Sequence, residues 1–144
     1  DWTVCTIWMR LGDKYYLLHV ERGIYEYPQL CKVFVELVQK YDPEQIQMEE
    51  TAIAKALKRE RGLPRRASIK LQPIEQDRRG RLYTQQSKFK DGNVRFPKQA
   101  SFMSLVEREL LSYPHGETDD IVDSISLALQ YGGTGYDTTL GWVG

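Results

Sequence analysis

Cysteine is scarce in this chain of 144 residues: there are only two, Cys5 and Cys31, each inside an apolar pattern. That is too few for a disulfide scaffold, and they read as reduced, buried thiols of a cytosolic protein. Histidine is equally scarce, with His19 and His115 far apart, and no Cys/His spacing suits zinc. His19 falls mid-strand and reads as structural. There is no glycine-rich phosphate loop ending in Lys-Ser/Thr and no Gly-x-Ser-x-Gly elbow, so the usual signatures of a nucleotide triphosphatase and of a serine hydrolase are absent. No apolar run approaches the roughly 18 residues of a membrane span. Asp1-Trp2 leads straight into a strand-like stretch without a secretory signal, and a membrane is not an expected partner. No internal repeat is visible.

Net charge is also lacking, because 20 Lys and Arg balance 20 Asp and Glu. The balance conceals an asymmetry. Residues 55–98 hold 14 of the basic residues and only four acids, Glu60, Glu75, Asp77 and Asp91. Such a segment suits a polyanion, although a solvated helix face with basic loops would have the same composition.

The hydrophobic pattern predicts strands over 3–9 and 15–20, joined by turn residues 11–14 into a hairpin. Tyr27-Pro28 opens a helix whose apolar positions are Leu30, Val33, Phe34, Leu37 and Val38, and Asp42-Pro43 breaks it. A short strand follows at 45–49, then a helix over 50–61 stopped by Gly62 and Pro64. An extended segment at 68–74, a basic and partly helical stretch at 77–90, and a short strand at 94–96 come next. Ser101 is the expected cap of a helix with apolar positions Phe102, Leu105, Leu110 and Leu111. The last helix starts at Thr118 or Asp119 and buries Ile121, Val122, Ile125, Leu127 and Leu129. From Gly132 onward five glycines fall in 13 residues, so 132–144 is expected to be a flexible tail behind a domain of residues 1–131. Strands first, then strands alternating with helices, give the class α/β with a mixed sheet.

Two acidic sites could carry chemistry. Glu49-Glu50 ends a strand, where α/β proteins place ligands, though an acid there can also serve the dipole of the following helix. Asp119, Asp120 and Asp123 open the last helix, and Asp120 and Asp123 share a helix face. Capping accounts for Asp119 but seldom for three aspartates. Hard divalent cations favour oxygen ligands, so the two sites together could hold a pair of Mg²⁺ or Mn²⁺ ions.

In order along the chain, DWTVCTIW, YYLLHVERGIYEYPQL, IQMEETAIAKAL, DRRGRLYTQQSKFKDGNVRFP and FMSLVERELLSYPHGETDDIVDSISLAL form a set. An acid after a short strand, a basic segment, Gly-x-Val-x-Phe-Pro and Asp-Asp-x-x-Asp-Ser follow one another in it. Over nearly its whole length the chain resembles the C-terminal nuclease domain of phage large terminases. The resemblance implies a ribonuclease H-like mixed sheet flanked by helices, and two-metal cleavage of concatemeric DNA during genome packaging. It carries Glu49, Asp120 and Asp123 over as catalytic residues, with Asp119 beside them as a fourth metal ligand. Arg78, Arg79, Arg81, Lys88 and Lys90 are the expected contacts to double-stranded DNA. The terminase small subunit and portal would be partners of the full-length protein, in the cytoplasm of the bacterial host. Departures from the family pattern are also expected to matter. The family's first strand, with its catalytic Asp, would precede Asp1 and is missing, as is the ATPase motor. His19 replaces an acid, and Arg78 stands where Lys is usual. The chain alone could therefore be inactive. Another ribonuclease H-like nuclease of the junction-resolvase type, or an inactive DNA-binding or docking module, are the alternatives.

Overall fold

A computed structural model describes residues 2–132 and 135–144; Asp1, Gly133 and Thr134 lie outside the described residues. The hairpin is longer than the pattern suggested. β1 (Thr3–Gly12) and β2 (Lys14–Gly23) pair antiparallel up to Leu11 opposite Lys14. The reversal needs a residue at φ +66°, which Gly12 adopts without a Cβ penalty. α1 (Tyr27–Tyr41) has Pro28 in its first turn and buries Leu30, Phe34, Leu37 and Val38. It stops at Asp42, in the left-handed region at φ 47°, whose N–H bonds the Val38 carbonyl.

β3 (Gln45–Glu49) leads into α2 (Ala52–Lys58), capped by the Thr51 hydroxyl, which accepts from the Ala54 N–H at 3.0 Å. β4 (Ser68–Gln72) follows, then α3 (Arg78–Thr84), capped by Asp77, and α4 (Gln86–Lys90). β5 (Val94–Arg95), α5 (Met103–Ser112), α6 (Asp120–Tyr131) and β6 (Gly135–Val143) complete the chain. Among the described residues no helix is long and apolar enough to cross a membrane.

The six strands form one mixed sheet in the order β4-β3-β6-β1-β2-β5. β1 is antiparallel to β2 and β6, β3 is parallel to β4 and β6, and β5 is parallel to β2. The protein is thus an α/β fold. Alternation along β1 splits the core between the faces. Val4 and Trp8 join Ile121, Ile125 and Val106 of α6 and α5, while Cys5 and Ile7 join Phe34, Val38 and Leu57 of α1 and α2. Full burial of each such aliphatic side chain contributes roughly 1.5–3 kcal/mol.

Two expectations are corrected here. Of the expected flexible tail 132–144, Gly133 and Thr134 lie outside the described residues, and Gly135–Val143 are instead β6, near the middle of the sheet between β1 and β3. Its glycine content misled, since Thr138, Thr139, Trp142 and Val143 are strong strand formers and Leu140 and Trp142 fill the α1 side of the core. Gly141 is a packing requirement, because a Cβ there would lie 2.8 Å from the Ser124 carbonyl oxygen and 3.1 Å from the Ala128 Cβ. The second correction concerns α5, which begins at Met103 behind Phe102 with no side-chain cap, so Ser101 caps nothing. The helix buries Met103, Val106 and Glu109 and leaves Leu111 86% exposed.

Candidate metal centre

The site forms where the C-terminal end of β3 meets the N-terminus of α6. Ser124 fixes that meeting. Its hydroxyl donates to the Gly141 carbonyl at 2.9 Å, accepts from the Thr6 N–H at 3.1 Å and lies 2.8 Å from the Thr6 hydroxyl, which tethers α6 to both β1 and β6. Ser124 adjoins Asp123, so the tether also sets the height of the first turn over the sheet. Glu109 of α5 fixes the same turn from the other side. Buried at 3% exposure, it accepts from the Val122 N–H at 2.9 Å and the Thr118 hydroxyl at 3.2 Å.

Asp119, Asp120 and Asp123 can each turn one carboxylate oxygen to a common point, with all three oxygens within 4.8 Å of one another. Asp119 is exposed, Asp120 half-buried and Asp123 buried. Asp119 makes no side-chain capping bond to α6, and α2 is capped by Thr51, so capping explains neither Asp119 nor Glu49.

Glu49, also buried, reaches the cluster through Arg78. Arg78 Nη1 donates to Glu49 Oε1 at 3.2 Å and lies 3.0 Å from Asp123 Oδ2. Sharing one nitrogen keeps these two oxygens within about 6 Å, a span compatible with ions roughly 4 Å apart. Arg78 Nη2 contacts both Glu49 oxygens, at 3.3 and 3.1 Å.

Burial pushes the Asp123 carboxyl up to about 7; Arg78 and Arg81 pull against this, while Asp119 and Glu49 add to it. Burial likewise raises Asp120, and Asp119 adds to the shift. Burial disfavours the charge on Arg78, but Asp123 and Glu49 outweigh it and hold the guanidinium charged. An open cleft of about 500 Å³ gives access between Trp2, Glu49, Arg78, Asp119, Asp120 and Gly144. The oxygen donors of Asp119, Asp120 and Asp123, clustered at the cleft, fit a hard divalent cation.

The expected acids therefore come together, but the expected basic contacts divide. Arg79 and Lys90 are exposed. Arg78 sits inside the acidic site. Arg81 is a correction: it is 4% exposed, donates to the Ser126 hydroxyl at 3.1 Å and the Asp123 carbonyl at 3.4 Å, and offers nothing to a phosphate. Lys88 also turns inward, donating to the Leu129 carbonyl above the Tyr15 ring, and burial lowers its pKa. Arg78 and Arg81 are three residues apart on one helix face, a spacing that sets them apart from Arg79.

Glu109 was missed. Its signal was an acid in register with Met103 and Val106. His19 stacks on Tyr41 with ring centroids 5.7 Å apart. Both cysteines are free. At the end of β6 beside Glu49 stand Trp142, Val143 and Gly144, none with an acidic side chain. The acid of β6, Asp137, pairs with Arg10 near the opposite end of the strand. Comparison with known proteins finds no match to a family model, a curated protein or a solved structure.

Proposed function

We propose that this chain is a ribonuclease H-like nuclease, the DNA-cutting domain of a phage large terminase. The observation that carries the reading is the convergence of Glu49, at a strand end, with Asp123, at a helix start, on one Arg78 nitrogen. The ordered sequence blocks add the family resemblance. Glu49, Asp119, Asp120 and Asp123 would hold two Mg²⁺ or Mn²⁺ ions. Bound there, such ions supply Lewis-acid stabilisation of a phosphodiester and an activated water. The chain's own residues do the rest. Arg79 and Lys90 offer charge to the backbone of double-stranded DNA, and Ser124 and Glu109 hold the first turn of α6 against the sheet. In this reading the terminase small subunit and portal are partners of the full-length protein, in the host cytoplasm.

A specific observation favours a second reading, a DNA-binding or docking module without turnover. Among the described residues the end of β6 beside Glu49, from Trp142 to Gly144, carries no acidic side chain that could bridge two ions. Nicking of supercoiled plasmid in Mn²⁺ or EDTA, by the chain and by Glu49→Ala, decides between them. Slow nicking that needs Mn²⁺ and disappears in Glu49→Ala, with DNA binding retained, supports the nuclease. Salt-sensitive DNA binding without any nicking supports the module.

A further inference from the structure

We infer that Arg78 is a built-in counter-ion that occupies the cation position between Glu49 and Asp123, and that a divalent ion enters only as Arg78 leaves. The inference rests on reading these acids as metal ligands, and adds what controls their occupancy. Both Glu49 oxygens and Asp123 Oδ2 are engaged by one guanidinium at 3.0–3.3 Å. A magnesium ion approaches carboxylate oxygens to about 2.0–2.1 Å. It would compete with Arg78 for the same carboxylate oxygens, and its charge would repel the guanidinium. Two cations cannot share the position.

The two arginines of this face differ in how freely they can leave. Arg81 is held at 1% side-chain exposure by Ser126 and the Asp123 carbonyl. Its Nη1 is buried without a hydrogen-bond partner, 3.8 Å from Glu49 Oε2. It remains as fixed charge. Arg78 is the first residue of α3, its side chain is 33% exposed, and it lines the open cleft. On leaving the pair its planar fork would be free in the open cleft, where it suits a phosphate. A polyanion that draws Arg78 out would thereby tighten metal binding, and metal would tighten polyanion binding by the same factor.

The test is Mn²⁺ affinity by calorimetry for wild type, Arg78→Gln and Arg79→Gln. Both variants lose one positive charge, but only the first frees the acids. Arg78→Gln is expected to bind Mn²⁺ roughly tenfold more tightly than wild type, and Arg79→Gln within about twofold of it. Equal or weaker binding by Arg78→Gln overturns the inference. Because that variant could fail to fold without metal, the wild-type Arg78 Nε–Hε NMR signal is followed as Mg²⁺ is added, assigned by its loss in Arg78→Lys. It should move and exchange faster with solvent as the site fills, and a signal unchanged at saturation overturns the inference. If no protein binds Mn²⁺, the metal reading falls and the inference with it. Tighter binding by Arg78→Gln without DNA cutting by any form upholds the counter-ion and sinks the nuclease.

Discussion

The Glu109 carboxylate of α5 accepts a 2.9 Å hydrogen bond from the Val122 N–H in the first turn of α6. The helix that carries Asp120 and Asp123 therefore begins on an acid borrowed from its neighbour. Burial raises the Glu109 pKa, and its bonds to the α6 backbone and Thr118 oppose the rise. Glu109→Ala leaves buried donors without a partner and is expected to cost roughly 1–3 kcal/mol in urea unfolding. An unchanged unfolding midpoint would show that the bond contributes nothing to stability.

Asp123 gives the chain a pH dependence of defined sign. In the folded chain its carboxyl titrates at about 7, because burial outweighs the two arginines. In the unfolded chain it titrates near ~3.9. Between these values the folded state holds a proton that the unfolded state has released. The stability from this group is full below the unfolded value and lost as pH rises through about 7. At pH 8 without metal, Asp123→Asn is expected to melt roughly 2–5 °C above wild type. Its advantage should shrink toward pH 5. A lower melting temperature than wild type at pH 8 would contradict the burial argument.

Much of the fold was legible in the sequence, and β6 shows why the rest was not. Helix α1 and strands β3 and β4 fall where periodicity and the Asp42-Pro43 break put them, because local pattern and tertiary packing agree there. In residues 135–143 glycine content suggested flexibility, whereas Gly141 is there so that α6 can pack close. That need is created by Ser124 and Ala128 of another element, and no local window shows it. Gly141→Val should therefore lower stability by roughly 1–3 kcal/mol or more. Calorimetric melting would measure it, and a wild-type melting temperature would contradict the packing of α6 on β6.

The candidate site was legible to a similar depth. Acids at a strand end and a helix start were readable as residue types at positions where ligands gather, and the fold brings them together. The direction of each basic side chain was not readable, since a run of arginines looks alike whether it faces solvent or carboxylates. Arg79→Ala with Lys90→Ala is expected to lower the log–log salt slope of duplex binding by about 2, near 0.9 for each lost phosphate contact. Arg81→Ala should instead destabilise the chain by roughly 3 kcal/mol, through the Glu49 and Asp123 groups it leaves behind. A double variant with an unchanged slope would show that Arg79 and Lys90 do not meet phosphate.

Metal-dependent cutting by the assembled acids is tested most directly with the Asp120→Asn, Asp123→Asn double variant. It keeps the size of both side chains while removing their charge. Plasmid nicking in Mn²⁺ is measured beside duplex binding on the same preparations of wild type and variant. Wild type is expected to nick slowly in Mn²⁺ and not in EDTA, and the double variant to lose nicking while its duplex affinity, compared in EDTA, stays within about threefold, because in the proposed reading Arg79 and Lys90 meet the phosphates. Nicking by the double variant at the wild-type rate would contradict the assignment of these aspartates to the reaction.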